Sequence, residues 1–552
     1  MKNIIQLILF TVFSVQVVFG QQNLKQDFKV NKINSAYLSE ESGLRSNIIN
    51  CIALQGDMTT WIGTGQGISI MHDSLSIFTL DTLHLIPNTS DDSDTLRFLF
   101  ESIASMAVQD DVLAFAGASQ ENGIPLGAGI YITKDGLADQ IAWNRFDQPV
   151  DVIDDSLTEI GAGYFKARPV TQALTNVTYD MDISRDYLWI VSWAGGLRRI
   201  NINGLEIWER IPLPKDDQVE LKTCNLENFN EFEGKLILND YYMDSSDPEQ
   251  GGNHNHKGFS VLAYGDTVWV GTANGINRGI LGENGCVDWH HFSHPTDNLS
   301  GNWVLSIDKQ EYNNERIIWA VTVNAILPTE QRSVSFTRDD GESWKIVEAL
   351  IGERCHDISI LGSTILIASD SGLWKSDDGT NWDLIPPAVE ATPVSSNEIL
   401  NNSVYAVAAD NREYFGKSLI WIGTPDGLAR SYNSVGSNWQ IYRAEYDKEE
   451  TYAYPNPFSP YSHNQLNDDG WVRFNTGDYS VQQVDLNIYN FALEEVYSEK
   501  FDWQNNPGAV KWNGRDRRGE LVANGVYFVN LRFSESENST KENHWVKLVV
   551  VK

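Results

Sequence analysis

The residues best suited to metal chemistry lie between positions 254 and 294: His254, His256, His290, His291 and His294. Imidazole is a common zinc ligand, but a site also needs supporting donors at a matching spacing. His254 and His256 stand two apart, without the helical spacing and carboxylate that would complete a set, and no HExxH or CxxC occurs. They are expected to be solvated loop residues, so no metal and no cofactor is predicted. No glycine-rich phosphate loop, GxSxG elbow or Cys–His nucleophile pattern stands out either, and no catalytic residue is assigned.

A second constellation combines a hydroxyl, a carboxylate, a glycine and an indole at fixed offsets. It is Thr337, Asp339, Gly341 and Trp344 within TRDDGESW. KSDDGTNW repeats it with Asp377, Gly379 and Trp382 but without the first hydroxyl, and Thr133-Lys134-Asp135-Gly136 is a degenerate third copy. In such a turn the carboxylate caps backbone N–H groups, and the glycine permits positive φ. The indole then packs between neighbouring sheets. This chemistry closes turns and does not act on a substrate.

The cysteines are Cys51, Cys224, Cys286 and Cys355. Cys51 and Cys355 fall in apolar runs, where a buried thiol is the simple expectation. Cys224 and Cys286 lie in polar connections, and a bridge between them suits an oxidising compartment, although four thiols allow three pairings. Lys and Arg number 41 against 75 Asp and Glu, a net charge of −34. That balance repels nucleic acid and suits a soluble extracellular surface.

The elements that must hold these residues are read from a recurring phrase. WIGTGQGI (Trp61 to Ile68), WVGTANGI (Trp269 to Ile276) and WIGTPDGL (Trp421 to Leu428) each join a β-branched and aromatic run, a Gly-containing turn and a second apolar run. Aligning the chain on this phrase gives seven units, with inner runs near Ile48, Ile103, Met181, Val261, Leu305, Ile358 and Val404. Their spacing of roughly 45–80 residues is that of a propeller blade with insertions. A single alternating sheet buries one face only, and radial packing covers both. The sequence therefore predicts an all-β chain with a seven-bladed β-propeller at 37–445, the runs above lining its channel. The polar insertion from Asp240 to His256 is long enough to carry function.

The two ends read differently. Met1 to Gly20 has a positive start, an apolar core and a small residue for cleavage, the pattern of a signal peptide, and 21–36 is an N-terminal segment. After Glu445 the charge rises, residues 446–455 read as a linker, and the prolines of YPNPFSP mark a domain junction. Short alternating runs at 456–552 predict a C-terminal Ig-like β-sandwich. No later stretch is long and apolar enough to span a bilayer.

The Thr337–Trp344 and Lys375–Trp382 turns resemble the Asp-box (BNR) repeat of sialidase-type propellers, in which the box is structural. The WIGT units resemble the two-component-regulator propeller repeat. Arg210-Ile211-Pro212 resembles the RIP signature of sialidases, which implies a glycan-processing enzyme only if further arginines and a Tyr–Glu pair converge with it. Lys511 to Asp516, Gly519 and Val522 to Tyr527 resemble a FlgD-type Ig-like domain, except that Phe491-Ala492-Leu493 stands where that family usually has a glycine. YPNPFSP and the ending VKLVVVK resemble the type A sorting domain of the type IX secretion system. The combined resemblance implies a secreted or cell-surface protein whose C-terminal domain meets the secretion machinery. Its propeller would bind an extracellular glycan or protein, or serve as an accessory component of that machinery.

Overall fold

The computed structural model describes residues 44–552 apart from 72–76, 80–81, 86–94, 98–101, 139–140, 155, 206, 248–252, 391–396, 445–449, 477–482, 504, 506–507 and 535–541. The expected signal peptide and N-terminal segment lie outside the described residues. The described residues are all-β, with only short 3-10 turns besides strands.

Seven sheets, antiparallel apart from one parallel pair at the edge of the second, follow one another along the described residues. Their first strands are Ile49–Gln55, Ser102–Gln109, Thr178–Ser184, Gly258–Tyr264, Trp303–Tyr312, Cys355–Leu361 and Ala406–Asp410. Each packs against the first strand of the next sheet, and the seventh packs back on the first, so they form a closed ring. From the first strand the next ones step outward in sequence order, and the outer edges of two sheets add strands from earlier in the chain: Thr82–Leu85 and Thr95–Arg97 on the second, Glu220–Lys222 on the fourth.

The recurring phrase has a residue-by-residue explanation. Its tryptophan is buried, and its Nε1–H donates to the inner strand of the same sheet. Trp61 reaches Gln55 Oε1 at 2.8 Å, Trp269 the Tyr264 hydroxyl at 3.1 Å and Trp421 Asp410 Oδ2 at 2.9 Å. Its glycine is where one sheet touches the next. A Cβ on Gly63 would lie 2.9 Å from Ile103, one on Gly271 2.7 Å from Val304 and one on Gly423 2.6 Å from Ile49. Its threonine closes the turn. Thr64 and Thr424 Oγ1 each donate 2.8 Å to the carbonyls of Gly67 and Gly427, and accept from the amides of Gln66 and Asp426.

Neighbouring inner strands are joined by side chains. Asn50 donates to the Ile103 carbonyl at 2.9 Å, Ser105 to the Thr178 carbonyl at 3.1 Å and Ser260 to the Val304 carbonyl at 2.9 Å. Asp180 and Asp182 accept from the amides of Val261 and Ala263, and Asp357 from that of Val407. Arg412 donates to the Thr59 carbonyl and to Thr60 Oγ1, linking the seventh sheet to the first.

One further sheet lies outside this order. Leu157–Ile160 and Gly163–Ala167 join Phe229–Phe232 and Lys235–Met243 in an extra four-stranded sheet, with Gly163–Ala167 parallel to Lys235–Met243. Its apolar side chains, among them Phe165, Tyr241 and Met243, pack with Trp189 and Trp289 of the third and fourth sheets. Cys224 and Cys286 form a disulfide that ties this insertion to the fourth sheet, while Cys355 is buried as a thiol.

The C-terminal unit contains a three-stranded sheet, a short hairpin and a four-stranded sheet ordered Glu495–Asp502, Gln483–Tyr489, Gly525–Ser534, Glu542–Val550. It has its own apolar core around Trp512, Leu486 and Leu531. Tyr452–Tyr454 pairs with Val472–Asn475, so this unit starts ahead of the expected boundary at 456, inside the stretch read as linker. At the position where a glycine was expected, Leu493 holds φ 61°, a left-handed conformation that costs a branched residue about 1–2 kcal/mol.

Candidate functional site at one end of the ring

The first Asp-box turn is built as its residue types require. Thr337 Oγ1 bonds Asp339 Oδ1 at 2.7 Å and accepts from Gly341 N at 2.9 Å, while Asp339 accepts from Ser343 N and Oγ at 2.9 and 2.6 Å. These donors hold the Asp339 carboxyl down at about 2, led by the Ser343 and Thr337 hydroxyls. Gly341 has φ 99° and lies against the Phe292 ring. Trp344 is buried, edge-on to Trp269 at 6.1 Å and to Phe292 at 6.0 Å, and so wedges the fifth sheet against the fourth.

The second turn has a different carboxylate from the one expected. Asp378 accepts from the amides of Asn381 and Thr380 at 2.8 and 2.7 Å, and its carboxyl is held at about 2 by those amides. The hydroxyl is present one residue late, at Ser376, which accepts from Gly379 N at 2.9 Å. This turn is one residue shorter, which moves the cap from Asp377 to Asp378. Asp377 instead accepts from Thr364 Oγ1 at 2.7 Å and pairs with Lys375 at 2.5 Å. Gly379 (φ 72°) and the half-buried Trp382 both face Trp319 of the fifth sheet. In the third copy Thr133 Oγ1 accepts from Asp135 N at 3.1 Å.

The histidines do not converge. His256 is buried with Nε2 2.9 Å from the Ala194 carbonyl, and burial, with the nearby Arg210 charge, pushes its pKa well down. His291 Nε2 meets the Asn274 carbonyl at 2.6 Å, and His294 Nδ1 the Leu299 carbonyl at 2.6 Å. His290 lies on the Phe292 ring. His254 stands on a loop whose amide is held by Asp216. Among the described residues no group of three or more His, Cys, Asp or Glu is arranged to hold a metal.

Arg210 meets other arginines, but around a carboxylate. Arg198 Nη2 and Arg210 Nη1 bind the two oxygens of Asp151 at 2.6 and 2.9 Å, and Arg210 Nη1 also donates to the Arg168 carbonyl. The Arg198 and Arg210 side chains are buried. Their guanidinium groups are thus committed to tying Asp151 to the outer strands of the third sheet.

One end of the ring gathers aromatic and charged side chains. The register Gly258↔Thr272, Trp303↔Val323, Cys355↔Ser369 puts the starts of the inner strands beside the turns that follow the second strands. Trp193 follows the second strand of the third sheet, Phe259 is the second residue of the inner strand of the fourth, and Trp303 opens that of the fifth. Their rings meet: Trp193 and Phe259 at 5.4 Å, Phe259 and Trp303 at 5.9 Å, Trp193 and Trp303 edge-on at 6.2 Å. Trp303 is half-buried at the rim. Lys257 Nζ lies 5.1 Å from the Trp193 ring centre. Around the rim His356 pairs with Asp370 at 2.7 Å and stands edge-on to Tyr405. Trp193 and Phe259 are buried in the apolar core, so half-buried Trp303 is the ring of this cluster that reaches the rim, and an aromatic ring beside polar side chains can hold a sugar or an extended chain.

The C-terminal unit docks at this same end, over the sixth and seventh sheets. Buried Asp426, in the turn of the seventh sheet, binds Arg443 at 2.5 Å and Arg473 of the C-terminal unit at 3.0 Å. Glu398 binds Lys511 at 2.5 Å and accepts from Ala509 N. Leu400, Leu466 and Ala509 form an apolar contact alongside. The aromatic rim on the third to fifth sheets lies on another sector of the ring.

No family model matches the chain, and no curated protein matches it. Solved structures with a similar arrangement are β-propeller proteins. One is PorZ, titled an essential bacterial surface component of the type-IX secretion system of Porphyromonas gingivalis. It aligns at 15% identity over 90% of this chain and 64% of its own, with a TM-score of 0.28. Another is a GH74 enzyme of Niastella koreensis, at 10% identity over 92% of this chain and 67% of its own, TM-score 0.44. A third is BamB from Moraxella catarrhalis, at 9% identity over 74% and 99%, TM-score 0.35. The chain spans less than two thirds of the length of the PorZ protein.

Proposed function

We propose that the chain is a secreted or cell-surface binding protein, a seven-bladed propeller with a C-terminal Ig-like sorting domain, which takes an extracellular glycan at the aromatic end of its ring. The observation that carries this reading is the Trp193–Phe259–Trp303 cluster. Its Trp193 and Phe259 rings are buried, and it reaches the rim through half-buried Trp303, with half-buried Lys257 beside Trp193. The closed ring of seven inner strands supports the blade count, and the sequence of the tail supports export by a type IX system. The Asp boxes are structural on this reading, since Trp344 and Trp382 face neighbouring sheets.

A second reading, an accessory surface component of the secretion machinery, is favoured by one feature. The C-terminal unit is fixed to the ring through buried Asp426 and Glu398 and is more than a loosely hung address tag. The deciding experiment presents the purified full chain to a glycan array, with a hydrolysis assay on the same glycans, beside deletion of the gene in its host. Glycan retention without turnover supports the first reading. Turnover would make the protein an enzyme, and a general export defect without glycan retention would make it machinery.

A further inference from the structure

Lys257 is a half-buried cation without a carboxylate partner among the described residues. Its ammonium has three hydrogens to place, and the bond it makes is to the amide oxygen of Asn253 at 3.2 Å. Burial pushes its pKa down to about 8. The nearest acidic influence is Asp216, whose oxygens already accept the amides of His254 and Asn255. Several enclosed cations pair with carboxylates: Arg198 and Arg210 with Asp151, Arg443 and Arg473 with Asp426, Lys511 with Glu398. In a chain with 75 acidic side chains against 41 basic ones, leaving one enclosed ammonium with only an amide is unusual. A desolvated charge without a partner is costly unless something arrives to meet it.

The geometry points to a carboxylate-recognition site at Lys257, which takes the uronic-acid residue of a polysaccharide while half-buried Trp303, backed by buried Trp193, bears on the sugar ring. This inference rests on the reading of the ring end as a glycan-binding face and names the class of glycan. A pyranose presents an apolar C–H face and, when oxidised at its terminal carbon, a carboxylate at its edge. The rim offers matching groups, the part-exposed Trp303 indole and an ammonium held 5.1 Å from the centre of the buried Trp193 ring that Trp303 packs on. The net charge of −34 repels a polyanion at long range. The fitting ligand therefore carries isolated acidic residues between neutral sugars.

The test uses the full chain and paired oligosaccharides, each neutral chain beside its glucuronic-acid-bearing counterpart and the methyl ester of that counterpart. Titration calorimetry reads the affinities. We expect the acid-bearing member to bind at least tenfold more tightly than its neutral pair, with esterification abolishing the preference. Lys257→Gln should reduce the preference to about twofold, and Lys257→Arg should retain most of it. Equal binding of acid, ester and neutral members, or a preference that survives Lys257→Gln, overturns the inference and leaves the glycan reading standing. Retention of acidic peptides with no retention of glycans overturns both. Should Lys257→Gln fail to fold, the ester comparison on the natural chain decides the matter.

Discussion

Asn47 and Ala444, 397 positions apart, exchange two hydrogen bonds: Asn47 Nδ2 donates to the Ala444 carbonyl at 3.2 Å, and Asn47 Oδ1 accepts the Ala444 amide at 2.7 Å. The Asn47 carbonyl also accepts from Gly427 N. The first and seventh sheets are each complete in their own strands, so this residue, with Arg412, joins the two ends of the ring.

Replacing Asn47 with Ala should therefore cost about 1–3 kcal/mol, since it leaves two part-buried backbone groups without partners. Asn47→Asp keeps one acceptor and should cost less. Equilibrium denaturation in urea measures both, and equal stability of Asn47→Ala and the natural chain would show that the ring closes without this residue.

Trp344→Ala should destabilise by roughly 3–5 kcal/mol, because the indole fills the space between Trp269 and Phe292. Glycan binding by the folded fraction should not change. A variant that melts normally but loses ligand would contradict the structural role of the box.

The inner strands give a pH dependence whose sign can be worked out. Burial raises the carboxyls of Asp182 and Asp308 to about 7. Between about pH 4 and 7 the folded chain thus holds protons that the unfolded chain has released. Their contribution to stability is full below the unfolded pKa and lost as pH rises to 7. His256 and His291, with pKa values lowered by burial, oppose this below their unfolded value by favouring the unfolded state in acid. A comparison that cancels them is Asp182→Asn against the natural chain. The variant should gain relative stability from pH 4 to 7, by at most about 1.4 kcal/mol for each unit, and then level off. Melting temperatures across that range test it, and a constant difference would mean that Asp182 stays ionised.

Arg473→Ala removes one of two cations from buried Asp426. Arg443 remains, so the loss should lie near the low end of the roughly 3–5 kcal/mol seen when a buried pair is broken. A chain ending before Tyr452 should fold but melt at lower temperature than the full chain, since Glu398 and Asp426 lose their partners across the interface. Differential scanning calorimetry would show two independent transitions in the full chain if this coupling were absent. Removing Lys547 to Lys552 also removes Leu548 and Val550 from the C-terminal core, so the expected export failure has to be read beside a folding assay.

The repeat was legible because Trp61, Gly63 and Thr64 each meet a demand that recurs at Trp269, Gly271 and Thr272, and at Trp421, Gly423 and Thr424. A tight contact, a buried indole and a closed turn leave a fixed spacing behind. The side-chain bridges at Asn50, Ser105, Asp180 and Ser260 were not legible. Each is a single polar residue in an apolar run, and its partner is a backbone group of the next sheet, which has no residue type to read. The extra sheet was hidden for a related reason, since Gly163–Ala167 pairs with Lys235–Met243 across a whole intervening sheet. Asp377 was preferred over Asp378 because adjacent aspartates are indistinguishable until the length of the turn is known. Lys257 left no trace: it stands just before an inner strand, where the sixth sheet also has a basic residue, Arg354.

The Cys224–Cys286 bond closes a covalent lasso. The enclosed segment carries Asn253 and Lys257 as well as half of the extra sheet. A single protease cut anywhere inside the loop would leave both fragments bound to the body of the molecule, and the rim would survive nicking in an oxidising medium. After reduction the same cut would release the chain on one side of the rim from the chain on the other. A nicked sample run on denaturing gels with and without thiol would migrate as one species and then as two.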